Sequence, residues 1–181
     1  YHIIAVGKYS CPDNFSSILE QYLSKDYIID QEYRSFYFEF DKLDDIYIFE
    51  GLRELVENIY TNEYLNNLLP KWNGALREEE AFTKLPLQID FYDSNIRNTK
   101  ERTVVIISDA MRYEVGQELY KNLADDPKCR AKLNAQLSVL PSYTRLGMAA
   151  LLPHKSITMT EGFQVLVDDI LCDNLTGRQN V

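Results

Sequence analysis

The chain has 181 residues, 45% of them hydrophobic and 12% aromatic, which is enough apolar side chain to build a core and excludes an intrinsically disordered segment. Its formal charge of −9, from 19 basic against 28 acidic residues, argues against a surface that wraps a nucleic-acid backbone, so any phosphate chemistry is local. No apolar stretch reaches the length of a membrane span and no signal peptide is visible; the expectation is a cytoplasmic protein with no membrane partner.

Charge is unevenly distributed. Residues 1–100 hold 10 basic and 18 acidic side chains, a net of −8, whereas residues 101–181 hold 9 and 10, a net of −1. This predicts a mainly helical, acidic, aromatic-rich segment over 1–100 and a different unit over 101–181. Cys11, Cys129 and Cys172 show no metal or redox spacing and read as reduced thiols. The chain opens on Tyr1 without a Met and stops at "TGRQNV", which reads as the start of another helix, so it is expected to be a piece of a longer protein.

In chain order, "NFSSILEQYL" (14–23) and "FEGLRELVENIYTNEYLNNLL" (49–69) carry apolar residues at helical spacing, with Leu52, Leu55, Val56, Ile59 and Tyr60 on one face. Between them "EYRSFYFEFDKLDDIYIFE" (32–50) reads as a helix and loop rather than a hairpin, and its aromatics as core residues. The polar "SNIRNTK" marks a boundary near residue 100. Beyond it the pattern alternates: "TVVIIS" (103–108) as a buried strand, "YEVGQELYKNLA" (113–124) as a helix, "AQLSVL" (135–140) as a second strand, and "TRLGMAALL" (144–152) as a helix. "SITMT" (156–160) and "FQVLVDD" (163–169) follow as short strands. This order predicts an α/β fold, a mostly parallel sheet with covering helices, preceded by the helical segment.

In such sheets ligands gather at the carboxyl ends of the strands. The first strand delivers Asp109 in "SDAMR"; the second delivers Ser142 and Thr144 in "PSYT", at a helix start. Each alone has an ordinary explanation. Asp109 fits a helix cap, a phosphoacceptor or a nucleotide-hydrolysing strand end, the last weakened because the chain holds no G-x-x-x-x-G-K-[ST] loop. Ser142 and Thr144 fit helix caps, and Arg112 fits a surface ion pair. Taken together, a carboxylate and a hydroxyl on neighbouring strand ends suit a divalent cation, which would offset the cost of a carboxylate at the end of a buried strand and activate the hydroxyl.

"VVIISDAMRYEVGQEL" followed by "AQLSVLPSYTRLGMAALLPH" closely resembles the PglZ domain of type 1 BREX bacteriophage-exclusion systems, a member of the alkaline phosphatase superfamily. The resemblance extends less strongly through "FEGLRELVENIYTNEYL" and "FQVLVDDILCDNLTGRQNV". It implies a metal-dependent phosphoesterase with two metal ions, commonly zinc. Asp109 would be a metal ligand, Thr144 the nucleophile with Ser142 the alternative, and Arg112 a supporting residue. Further Asp and His ligands would be needed, and this chain has only His2 and His154, the latter expected to cap or face solvent. The resemblance therefore implies half a site here, without a tightly held metal pair or useful turnover. It also implies other BREX proteins as partners, nucleic acid through the larger assembly, and room for a dimer. The competing expectation is a non-catalytic scaffold for assembly of the defence complex, docking through the acidic, aromatic-rich segment.

Overall fold

The computed structural model describes residues 9–77 and 85–181, so His2 and the acidic run at 78–80 lie outside the described residues. In chain order the α-helices are α1 (Phe15–Gln21), α2 (Tyr27–Phe40), α3 (Glu50–Asn58), α4 (Asn66–Ala75), α5 (Phe91–Asn95), α6 (Tyr113–Ala124), α7 (Thr144–Ala150) and α8 (Leu175–Gln179). The strands are β1 (Ile157–Met159), β2 (Val165–Val167) and β3 (Ile170–Leu171). Two compact units form, each discontinuous in sequence: Tyr1–Lys84 with Arg112–Leu133, and Leu85–Met111 with Asn134–Val181. The composition change near residue 100 falls within the second unit.

The first unit is helical. Asn14 starts α1, its side-chain oxygen accepting the Ser17 N–H at 2.9 Å, as a short polar side chain does at a helix entry. A π-helical turn, Tyr22–Asp26, joins α1 to α2, and a second, Ile59–Leu65, joins α3 to α4. Both segments read as helical by periodicity are helical, and 32–50 is the end of α2, a loop and a 3₁₀ turn at Ile46–Phe49. The buried line on the α3 side is narrower than expected: Val56, Tyr60 and Tyr64 are buried at four-residue spacing while Leu52 and Leu55 are exposed. Aromatic packing fills this core, with Tyr33 stacked on Tyr60 at 3.7 Å between centroids and Phe15 on Trp72 at 5.2 Å.

Helix α6 joins this unit through charge. Glu114, in its first turn and 0% exposed, accepts the Arg34 Nε–H at 3.1 and 3.2 Å, and Arg34 Nη2 lies 3.0 Å from the same carboxylate. The bidentate geometry and the positive end of α6 both offset the cost of burying this side chain.

The second unit packs α7 on an antiparallel three-stranded sheet of order β1-β2-β3, with Ile157 opposite Val167 and Val167 opposite Ile170. Leu146 and Ala149 of α7 are buried with Val165, Val167 and Cys172. Asp168 and Asp169, at φ 46° and 68°, make the two-residue turn between β2 and β3, where positive φ at both positions matches strand twist. Gly177 of α8 is required by close approach, since a Cβ there would stand 1.9 Å from the Leu171 carbonyl oxygen.

The expected parallel sheet is not what the described residues form. Residues 103–108 carry no strand pairing, and Val104 and Ile106 are 73% and 87% exposed, so this segment is not a buried strand here. The 135–140 segment contributes one parallel bridge, Leu137 to Leu87. The reason is the absence of neighbours: a parallel strand needs a crossover and an adjacent strand for its amides, and the described residues offer neither to 103–108. The two short strands expected at 156–160 and 163–169 do form, paired antiparallel.

Two stability outcomes follow. Arg34→Met leaves the Glu114 carboxylate buried without its partner and lowers unfolding free energy by about 3 kcal/mol, the lower end for a broken buried pair because Arg34 is partly exposed; urea denaturation measures this, and Arg34→Met/Glu114→Leu recovers most of it. Asp168 accepts the N–H groups of Ser156 and Lys155 at 2.8 and 3.0 Å, hydrogen bonds that hold its carboxyl below the usual aspartate range. That contribution is present above the ordinary aspartate pKa and is lost as pH falls through the depressed one, so Asp168→Asn flattens the acid limb of a stability-against-pH curve.

Candidate functional site

Two segments of the second unit meet at the site. The first turns at Asp109 and Ala110; the second runs through the cis Leu140–Pro141 peptide and Ser142 into α7, where Tyr143 is the cap residue and Thr144 the first helical residue. Leu146, Ala149 and Ala150 bury one face of α7, which leaves Thr144 exposed on another. Gln88 ties the second segment together, its Nε2 donating to the Gly147 carbonyl at 3.2 Å and its Oε1 accepting the Val139 N–H at 3.1 Å. The Tyr143 hydroxyl donates to the Phe163 carbonyl at 2.9 Å and fixes the entry to α7 from the other side.

The outcome is a direct contact. Thr144 Oγ1 donates to Asp109, 3.2 Å from Oδ2 and 3.5 Å from Oδ1, across 35 residues of sequence. Asp109 Oδ1 also accepts the Ala110 N–H at 3.0 Å. Ala110 sits at φ 54°, a left-handed conformation that costs a residue with a Cβ about 1 kcal/mol. Neither group acts as a helix cap: the cap residue of α6 is Arg112, and the Thr144 hydroxyl leaves its own helix to reach Asp109. Asp109 is exposed, so the carboxylate does not carry the desolvation cost expected at the end of a buried strand.

The other sequence candidates lie apart from this contact in what they touch. Ser142 is exposed, two residues before Thr144. Arg112 belongs to the helical unit, with Nη2 3.7 Å from Glu114 Oε1. His154 Nδ1 lies 2.7 Å from the Leu152 carbonyl oxygen, a local contact at the end of α7. Gln88 was not indicated by any motif, since its role is to bridge two backbone groups and leaves no mark in spacing.

As metal ligands, the Asp109 carboxylate and Thr144 hydroxyl fit as two oxygen donors of a divalent cation and fall short of the four ligands zinc takes. Among the described residues no three His, Cys, Asp or Glu side chains converge as a ligand set. What the pair can do unaided is orient the threonine hydroxyl and accept its hydrogen bond.

Asp109, Ser142 and Thr144 all fall in a recognisable domain. Residues 91–180 match the family described as the BREX system PglZ alkaline phosphatase-like domain. The chain is 44% identical over 171 residues to the alkaline phosphatase-like protein PglZ of Bacillus cereus (strain H3081.97), covering 91% of this chain and 20% of that protein. It is 35% identical over 146 residues to the alkaline phosphatase-like protein BrxZ of Escherichia coli O9:H4 (strain HS), covering 74% of this chain and 17% of that one. The chain belongs to the PglZ family, and spans about a fifth of the length of these relatives. No solved structure matches it. No helix among the described residues is long and apolar enough to cross a membrane.

Because Asp109 and Thr144 are both exposed, Asp109→Asn and Thr144→Val each change the unfolding free energy by no more than about 0.5 kcal/mol, as measured by urea denaturation. A loss of activity in either variant then reports on chemistry.

Proposed function

We propose that the protein is part of a metal-dependent phosphoesterase of a BREX phage-defence system, acting in the bacterial cytoplasm on phosphodiester or phosphomonoester bonds. The observation that carries this reading is the hydrogen bond from Thr144 Oγ1 to the Asp109 carboxylate, both within the PglZ-matched residues. Thr144 attacks the phosphorus atom as its hydroxyl proton passes to Asp109, the bond from phosphorus to the ester oxygen breaks, and that oxygen takes the proton from Asp109 and leaves as the alcohol. Water then hydrolyses the phosphothreonine and regenerates the hydroxyl. Asp109 aligns the attacking lone pair throughout, which is the positioning a weak nucleophile needs. A divalent cation, zinc by resemblance, supplies charge neutralisation of the phosphoryl oxygens when bound.

The remaining metal ligands come from other parts of the intact protein, and the 181 residues alone are inactive. The same parts complete a parallel, alkaline phosphatase-like sheet in which residues 103–108 become a strand, covering Val104 and Ile106. Other BREX proteins are the partners, and nucleic acid reaches the site through the intact protein or its complex.

A scaffold role is the second reading. It is favoured by the 3₁₀ turn of the helical unit, where Ile46, Tyr47, Ile48 and Phe49 are all exposed, an apolar cluster suited to docking another protein.

The test is hydrolysis of bis(p-nitrophenyl) phosphate by the intact protein with zinc or manganese, beside Asp109→Ala and Thr144→Ala. The phosphoesterase reading expects metal-dependent turnover that falls at least about 100-fold in both variants, the scale of losing a positioned catalytic group. An inactive wild type that still assembles with its BREX partners leaves the scaffold.

A further inference from the structure

The helical unit contains a double chamber that the phosphoesterase reading does not use. The inner chamber, of about 290 Å³, is walled by Leu and aromatic side chains including Tyr22, Tyr60, Tyr64 and Trp72. The outer one, of about 420 Å³, adds Tyr33, Arg34 and Tyr37. Asp30, Tyr60 and Arg112 line both, so the two chambers adjoin at these residues. Together they fall in the size range of small-molecule sites, with an apolar lining and a few convergent polar groups.

Three observations point to a ligand. Tyr22, Tyr60 and Tyr64 belong to the two π-helical turns, a strained geometry that recurs at functional sites. Tyr64 is 0% exposed, and its hydroxyl has no hydrogen-bond partner among the described residues, a cost that a bound acceptor would remove. The polar groups shared by the two chambers have spare capacity of one kind. Both Asp30 oxygens are taken, by the Tyr22 hydroxyl at 2.6 Å and the Tyr60 hydroxyl at 2.8 Å. Burial first, then the Asp30 carboxylate, pushes both tyrosines above their usual range, so they stay protonated donors to Asp30. Glu114 is engaged by Arg34 on both oxygens. Arg112 donates no hydrogen bond among the described residues: its charge acts on Asp30, its one carboxylate approach is 3.7 Å to the already engaged Glu114, and its side chain is 63% exposed. The unfilled demand is therefore for acceptors: one at the buried Tyr64 hydroxyl and an anionic group at Arg112.

We propose that this chamber binds a small anionic molecule with an apolar, ring-sized body, the body lying among Tyr22, Tyr60, Tyr64 and Trp72 and the anionic group on Arg112. Arg112 is thereby a binding residue of the helical unit.

The test uses anilinonaphthalene sulfonate, an aromatic body with one anionic group, and phenylnaphthylamine, the same body without it, titrated into the intact protein by fluorescence. The sulfonate binds saturably with energy transfer from Trp72 that Trp72→Phe removes, Arg112→Gln weakens it at least tenfold, and the neutral probe is weaker in wild type and unchanged in Arg112→Gln. Leu68→Trp, which fills the inner chamber, abolishes binding of both. The proposal is overturned if the neutral probe binds as tightly as the sulfonate, if Arg112→Gln leaves sulfonate binding unchanged, or if no saturable binding occurs. Should Leu68→Trp fail to fold, the exposed Arg112 substitution still decides the outcome.

Discussion

The fully buried carboxylate of Glu114 is the constraint on which the chain's organisation rests. Its partner, Arg34, lies 80 residues earlier, and the guanidinium offsets the cost of burying that side chain out of reach of water. Satisfying it draws α6 into the helical unit, so the chain leaves the second unit after Met111 and returns at Asn134. A sequence that looks like two consecutive segments thus folds as two interleaved ones. The turn that carries Asp109 is the last piece of the second unit before that departure, and this places a candidate catalytic group within three residues of a structural cap, Arg112.

What could be read from the sequence follows the range of the interactions concerned. Helices depend on neighbours three and four residues away, and 14–23, 49–69 and 113–124 are helical as their spacing indicates. Strands depend on partners elsewhere, so the apolar run at 103–108 announced burial that the described residues do not provide, while 156–160 and 163–169 found each other across a short turn. The narrow buried line of Val56, Tyr60 and Tyr64 was blurred by Leu52 and Leu55, which have the right period and no partner to cover them. Periodicity records which face is apolar, not whether something covers it.

The site shows the same division. Asp109 and Thr144 were found by their places at the ends of apolar runs, and the structure brings their side chains within 3.2 Å. Gln88 escaped notice because an amide that bridges two backbone groups needs no particular flanking pattern. Arg112 has the ion-pair partner its sequence context allowed: three residues from Asp109 in a shared motif, it lies 3.7 Å from Glu114 in the helical unit. Side chains on successive residues of a turn and a helix start need not serve one site.

The two π-helical turns have a consequence for how the family's sequences line up. Within such a turn the hydrogen bond spans five residues instead of four, so one residue is accommodated without changing the faces that the flanking helices present. A relative that lacks one residue in either stretch can keep the same helix directions by reverting to ordinary α geometry, and its alignment with this chain would show a single-residue gap inside a helix. Such a gap, usually read as damage, would instead record the closing of a bulge and the loss of the tyrosine positions it holds open.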